Sequence, residues 1–240
     1  MGSLPGDGRR SQAVARDGES SRPNLDRATL ESLLEAQGPL FSEELGIRLG
    51  NLDPAELFKW FVAALLFGAR IRESAAVRTY RELERRDLLT PDALRNADFW
   101  DMIGVMAQGG YSRYDGITTR KLQRAAARLC EQYAGDLNRL HDSAADSTDL
   151  VARLGEFWGV GETTAGIFLR ELRGLWPKAD PPLGYLARLA ARHLGLDDPL
   201  AYWRANPLAG WDFRHLEAAL TRLGRDYCRR GRCNEAPVPH

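Results

Sequence analysis

Residues 154–169 read LGEFWGVGETTAGIFL, two helix-forming runs separated only by Trp158-Gly159-Val160-Gly161. Glycine on either side of Val160 permits positive φ and a close approach of the backbone to a partner. The first N–H groups of the helix that follows have no acceptor within that helix and point outward, which suits an anion such as a phosphate. A short glycine-bearing connection between helices is by itself most often plain architecture.

Working outward, helical signals continue on both sides. Asn24 or Asp26 caps a first helix running through Leu34, and Asp53-Pro54 opens a second through Leu57, Phe61, Ala64, Leu65 and Gly68. Arg72–Arg86 reads as an amphipathic helix, Thr90-Pro91-Asp92 starts a short one, and Asp98–Met106 forms another. Thr118–Tyr133 places Leu122, Ala126 and Leu129 on one stripe. Thr148-Asp149 caps a helix ending at Phe157, and Glu162–Arg173 follows the turn. Pro181 and Pro182 interrupt the pattern, which resumes over Tyr185–His193 and Leu216–Cys228. No stretch alternates as a strand does, so the fold expected is all-α.

At 240 residues the chain suffices for one large domain or two modest ones. Residues 1–26, rich in Gly, Ser, Arg and Asp, are expected to form a flexible tail. The longest apolar run, Trp60–Gly68, is too short to span a membrane, and no hydrophobic signal core precedes it. The cytoplasm is the expected compartment, as for a bacterial nucleoid-associated protein. Three cysteines, Cys130, Cys228 and Cys233, are too few for a disulfide scaffold. The formal net charge of zero leaves room for a local basic face. Of 33 basic residues only Lys59, Lys121 and Lys178 are lysines, so an amine nucleophile has few places to be.

The stretch WGVGETTA resembles the hairpin of the helix-hairpin-helix DNA glycosylases, the superfamily of endonuclease III, whose pattern is Leu-Pro-Gly-Val-Gly-x-(Lys/Ser)-Thr-Ala. Gly159, Val160, Gly161, Thr164 and Ala165 match, and Trp158 replaces the proline. LFKWFVAALLFGARIRESAAVRTYREL is similar to the family's helix of form L-L-S-A-Q-x-x-D, GGYSRYDGITTRKLQRAAARL to its Gly-Tyr segment, and GYLARLAARHLGL to the helix after its catalytic loop. The resemblance covers roughly residues 55–235.

This resemblance implies two helical domains flanking a DNA-binding cleft. One spans 55–175 and carries the helix-hairpin-helix over 148–173; the other is built from 27–54 plus 176–235. It implies a monomer acting on double-stranded DNA, with no membrane partner, in base-excision repair by base flipping. Gly159, Val160, Gly161, Thr163 and Thr164 would hold the DNA backbone. Arg70 falls where the family's gap-filling glutamine lies, and Arg113 is a further implied DNA contact. Trp158, Tyr111 and Tyr185 would border a pocket for the flipped base, although aromatics at helical spacing are usually core.

Base removal forms an oxocarbenium-like sugar that a carboxylate stabilises. Counting forward from the hairpin puts Asp180 at that position. Counting back from the following helix puts Gly184 there, in which case the carboxylate is missing and the protein is a DNA binder that does not excise. Thr163 occupies the position of the family's Schiff-base lysine, and a hydroxyl cannot form an imine, so the expected enzyme is a monofunctional N-glycosylase. Two C-terminal cysteines cannot hold the four-iron cluster of many relatives, so no metal and no cofactor is expected.

Overall fold

Asp26 accepts a hydrogen bond from the Thr29 N–H at 2.8 Å, and this cap starts the first helix, α1 (Arg27–Gln37). The structure, a computed structural model, describes residues 25–69, 71–111 and 114–233. After α1 come α2 (Phe41–Glu44), α3 (Pro54–Phe67), α4 (Glu73–Arg85), α5 (Pro91–Asn96), α6 (Phe99–Gly109) and α7 (Asp115–Tyr133). Then follow α8 (Leu137–Ser143), α9 (Ser147–Gly155), α10 (Glu162–Arg170), α11 (Tyr185–His193), α12 (Pro199–Ala205) and α13 (Phe213–Asp226), with a final 3-10 turn over Cys228–Arg230. No strand occurs among the described residues, and the fold is all-α.

Capping chemistry sets most helix starts. Asp53 accepts from Ala55 and Glu56 N–H groups ahead of Pro54, Thr90 accepts from Ala93, and Asp98 accepts from Trp100 and Asp101. The cap expected at Thr148-Asp149 is Asp146 instead, because its carboxylate accepts the Asp149 N–H while Asp149 accepts the Ala145 N–H in return. α10 stops at Arg170, three residues before the expected end, as the chain turns toward Gly174 at φ +78°.

Two apolar clusters form the interior. The larger is centred on α3, where Leu57, Phe58 and every residue from Trp60 to Leu66 are buried. Phe61 packs edge-on against Phe157 and Phe168, at 5.4 and 5.3 Å between ring centroids, and the Trp60 indole N–H donates to the Phe168 carbonyl at 2.9 Å. This fixes α3 against both arms of the glycine turn. The smaller cluster joins Leu30, Leu33 and Leu34 of α1 to Ala187 and Ala190 of α11 and to Leu216, Leu220 and Leu223 of α13. Leu40, Phe41, Leu45, Ile47 and Leu49 pack in the larger cluster, so the 27–54 segment is divided between the two rather than lying wholly with the C-terminal helices. Among the described residues no helix is long and apolar enough to cross a membrane.

Candidate nucleic-acid interface

The turn between α9 and α10 holds its residues in different ways. Val160 is buried, and its N–H donates to the Phe157 carbonyl at 2.9 Å. Gly159 takes φ +90°, and a Cβ there would lie 2.7 Å from the Lys121 side chain, so the lysine stem runs directly over this glycine. Gly161 differs. Its φ is −102° and no atom lies within 4 Å of where its Cβ would be, so neither backbone conformation nor packing requires glycine there.

Behind the turn, α10 lines a cleft of about 1320 Å³. Its walls come from the start of α4, the exposed side of α10, the Pro181–Arg188 segment and the Glu217, Thr221 and Arg225 face of α13. Six arginines line it (Arg72, Arg170, Arg188, Arg225, Arg229 and Arg230) against the acidic Glu73, Glu162, Glu217 and Asp226, so the balance favours an anionic occupant. Arg225 is itself tied to Glu73 and Asp226. Glu217 is 2% exposed, and burial pushes its carboxyl up to about 6 despite Arg173 at 3.5 Å.

Three helices open onto this cleft by their N-terminal ends: α4 at Arg72 to Ser74, α10 at Glu162 and Thr163, and α11 at Gly184 and Tyr185. None of the three has a side-chain cap. Of the ten other α-helices among the described residues, eight (α1, α3, α5, α6, α8, α9, α12 and α13) are capped by an Asp or Thr side chain at the N-cap, and α2 and α7 are not. The first turns of three helices without a capping side chain therefore border one concave surface, with Glu73 and Glu162 as the acidic residues in the first turns of α4 and α10.

The residues singled out from the sequence fall into separate places. Thr163 is exposed at the cleft, whereas Thr164 is buried against Gly68, where an added Cβ would sit 2.2 Å from its hydroxyl. Tyr185 is exposed and lines the cleft. Tyr111 does not border it: the side chain is 1% exposed, and its hydroxyl donates to the Leu66 carbonyl at 2.6 Å, a core role. Trp158 lies at the turn with its ring under Arg124, 4.6 Å from centroid to guanidinium carbon, and is not part of the cleft wall. Asp180 is largely exposed, is paired with Arg173, and lies outside the cleft wall, while Gly184 begins α11 on that wall. Arg70 and Arg113 lie outside the described residues.

Lys121 sits on the α7 side of the turn, and Lys178 donates to the His141 and Asp142 carbonyls; neither lines the cleft. Cys228 is buried against Cys233, and burial, then the thiol–thiol hydrogen bond, pushes it up to about 12. Sequence reading weighed Lys121 only as an amine nucleophile and passed over Arg124, although their i, i+3 spacing on α7 was the available signal of a shared face. A scan against protein-family models finds no match to this chain, and a search of curated proteins likewise finds none.

Proposed function

We propose that this protein binds DNA through the cleft and the adjoining glycine turn, recognising damaged or structured DNA, with the fold of the helix-hairpin-helix glycosylases. The observation that carries the reading is the convergence of three helix N-termini without side-chain caps, on α4, α10 and α11, upon one arginine-lined cleft. Backbone N–H groups and helix dipoles so arranged suit successive phosphates. Gly161 adds to it: a glycine that the fold does not need leaves room for a phosphate to approach the backbone.

The test uses a substitution whose effects on fold and binding oppose each other. Gly161→Asp supplies an N-cap to α10 at a backbone conformation suited to one, so stability is expected to hold or rise by a few tenths of a kcal/mol. The same carboxylate occupies the free N–H groups and repels phosphate. Duplex affinity by fluorescence anisotropy is therefore expected to fall tenfold or more, with a shallower dependence on salt. Unchanged affinity in a well-folded variant would remove the turn from DNA binding.

A second reading, base excision by a monofunctional glycosylase, is favoured by the size of the cleft and by Tyr185 at its edge, where a flipped base can stack. Asp180 is the carboxylate this reading would use, and its ion pair with Arg173 outside the cleft wall weighs against it. A panel of duplexes carrying single lesions, treated with alkali after incubation, separates the readings. No strand cleavage is expected; cleavage at one lesion that Asp180→Asn abolishes would establish excision. Borohydride added with an abasic duplex is expected to trap no covalent adduct, since Thr163 carries no amine and neither Lys121 nor Lys178 lines the cleft. A strong adduct would reverse that expectation.

A further inference from the structure

Outside the cleft, α7 carries a second surface. Ile117, Arg120, Lys121, Arg124 and Arg128 recur at three- and four-residue spacing and so share one side of the helix. Arg128 is paired with Glu156; Arg120, Lys121 and Arg124 form no ion pair with another described residue. Aromatic rings alternate with these cations. Arg120 lies 5.2 Å from the Phe99 centroid, Phe99 packs edge-on against Trp100 at 5.4 Å, and Arg124 stacks on Trp158. Trp100 is 75% exposed, Ile117 49% and Trp158 42%. In a chain of zero net charge, three cations without an ion-pair partner among the described residues, set beside partly exposed aromatic rings, are a local departure from the average.

We propose that this stripe binds a single-stranded nucleic-acid segment, its phosphates on Arg120, Lys121 and Arg124 and its bases stacked on Trp100 and Trp158. Charge complementarity selects a polyanion. The exposed ring faces select unpaired bases, because a duplex keeps its base faces stacked internally. From Ile117 to Arg124 the helix rises about 10 Å, the reach of roughly two nucleotides. The stripe meets the glycine turn where Lys121 crosses Gly159, so a strand unpaired beside the cleft passes onto it. The surface goes beyond duplex binding by the cleft and does not require it.

The experiment uses the full chain with an oligothymidylate of about ten nucleotides and a duplex of equal length. Tryptophan quenching on binding the single strand is expected. Trp100→Ala should weaken single-strand binding about tenfold. The combined variant Arg120→Gln, Lys121→Gln, Arg124→Gln should lower the slope of log affinity against log salt by about 2. Both variants alter exposed or half-exposed side chains, their melting temperatures are expected to match the parent, and Trp100→Ala, away from the glycine turn, should leave duplex affinity within about twofold. Single-strand affinity unchanged in both variants overturns the proposal, as does an equal loss for single strand and duplex in Trp100→Ala. Self-association that disappears in Trp100→Ala, with no oligothymidylate binding, would also overturn it and assign the patch to protein contact. Gly161→Asp keeps the two hypotheses apart: intact duplex binding there, with single-strand binding lost in the stripe variants, refutes the turn and supports the stripe.

Discussion

Gly224→Ala is expected to destabilise the protein by about 2–3 kcal/mol, a melting-temperature drop of roughly 5–10 °C. Alanine is the better helix former by about 1 kcal/mol, so propensity alone predicts the opposite sign. Geometry decides. A Cβ on Gly224 in α13 would lie 2.1 Å from the Leu186 carbonyl oxygen and 2.7 Å from its carbon, both backbone atoms of α11. A side chain can rotate away; a helix backbone has to translate, and that shift would open the smaller cluster that α11 and α13 share with α1. Gly166→Ala in α10 is the control, since no atom lies within 4 Å of its Cβ position, and it should gain up to about 1 kcal/mol. Thermal melts of the pair check the argument, and a Gly224→Ala protein that melts at or above the parent would refute the backbone contact.

Glu171→Leu is expected to cost about 3–5 kcal/mol, measured as a fall in the urea midpoint at constant m-value. Glu171 is 1% exposed, and its two oxygens accept the N–H groups of Phe41 and Ser42, each at 3.0 Å, at the start of α2. Burial raises its pKa, with the Arg170 charge and these N–H donors opposing the shift. Leucine would leave two buried N–H groups without an acceptor and take from the half-buried Arg170 a charge that offsets its desolvation. Glu171→Gln retains one carbonyl acceptor and should lose about half as much. Equal midpoints for the parent and the leucine variant would show that α2 does not depend on this carboxylate.

The same residue explains part of what sequence reading found and missed. Helices opened by Asp-Pro or Thr-Pro, such as α3 and α5, were legible because cap and helix adjoin in the chain. α2 was not, since the carboxylate at its start is 130 residues away. α12 was overlooked although Asp198-Pro199 carries the same local signal as Asp53-Pro54. The glycine turn could be read as a turn, yet the different tasks of its glycines could not: Gly159 answers to its φ and to Lys121, Gly161 to neither. Counting along the 173–184 loop left Asp180 and Gly184 as rivals because loop length says nothing of direction; in the structure Asp180 pairs with Arg173 and Gly184 begins α11 on the cleft wall. Tyr111 was misplaced because an aromatic on a motif segment reads alike whether its hydroxyl meets a ligand or the Leu66 carbonyl.

The sharing of one small core by α1 and α13 bears on how the chain is made. Arg222 donates to the Gln37 and Pro39 carbonyls, up to 185 residues away, and Tyr202 donates to the Leu25 carbonyl across 177. On the ribosome, Leu30, Leu33 and Leu34 are therefore synthesised long before the helices that cover them. The larger cluster, complete by Ala179 except for Ala218, can gather while α1 still waits with its apolar side bare. Emergence of α13 is then the event that completes the smaller cluster, and a nascent chain stalled before α13 presents α1 to any holdase within reach.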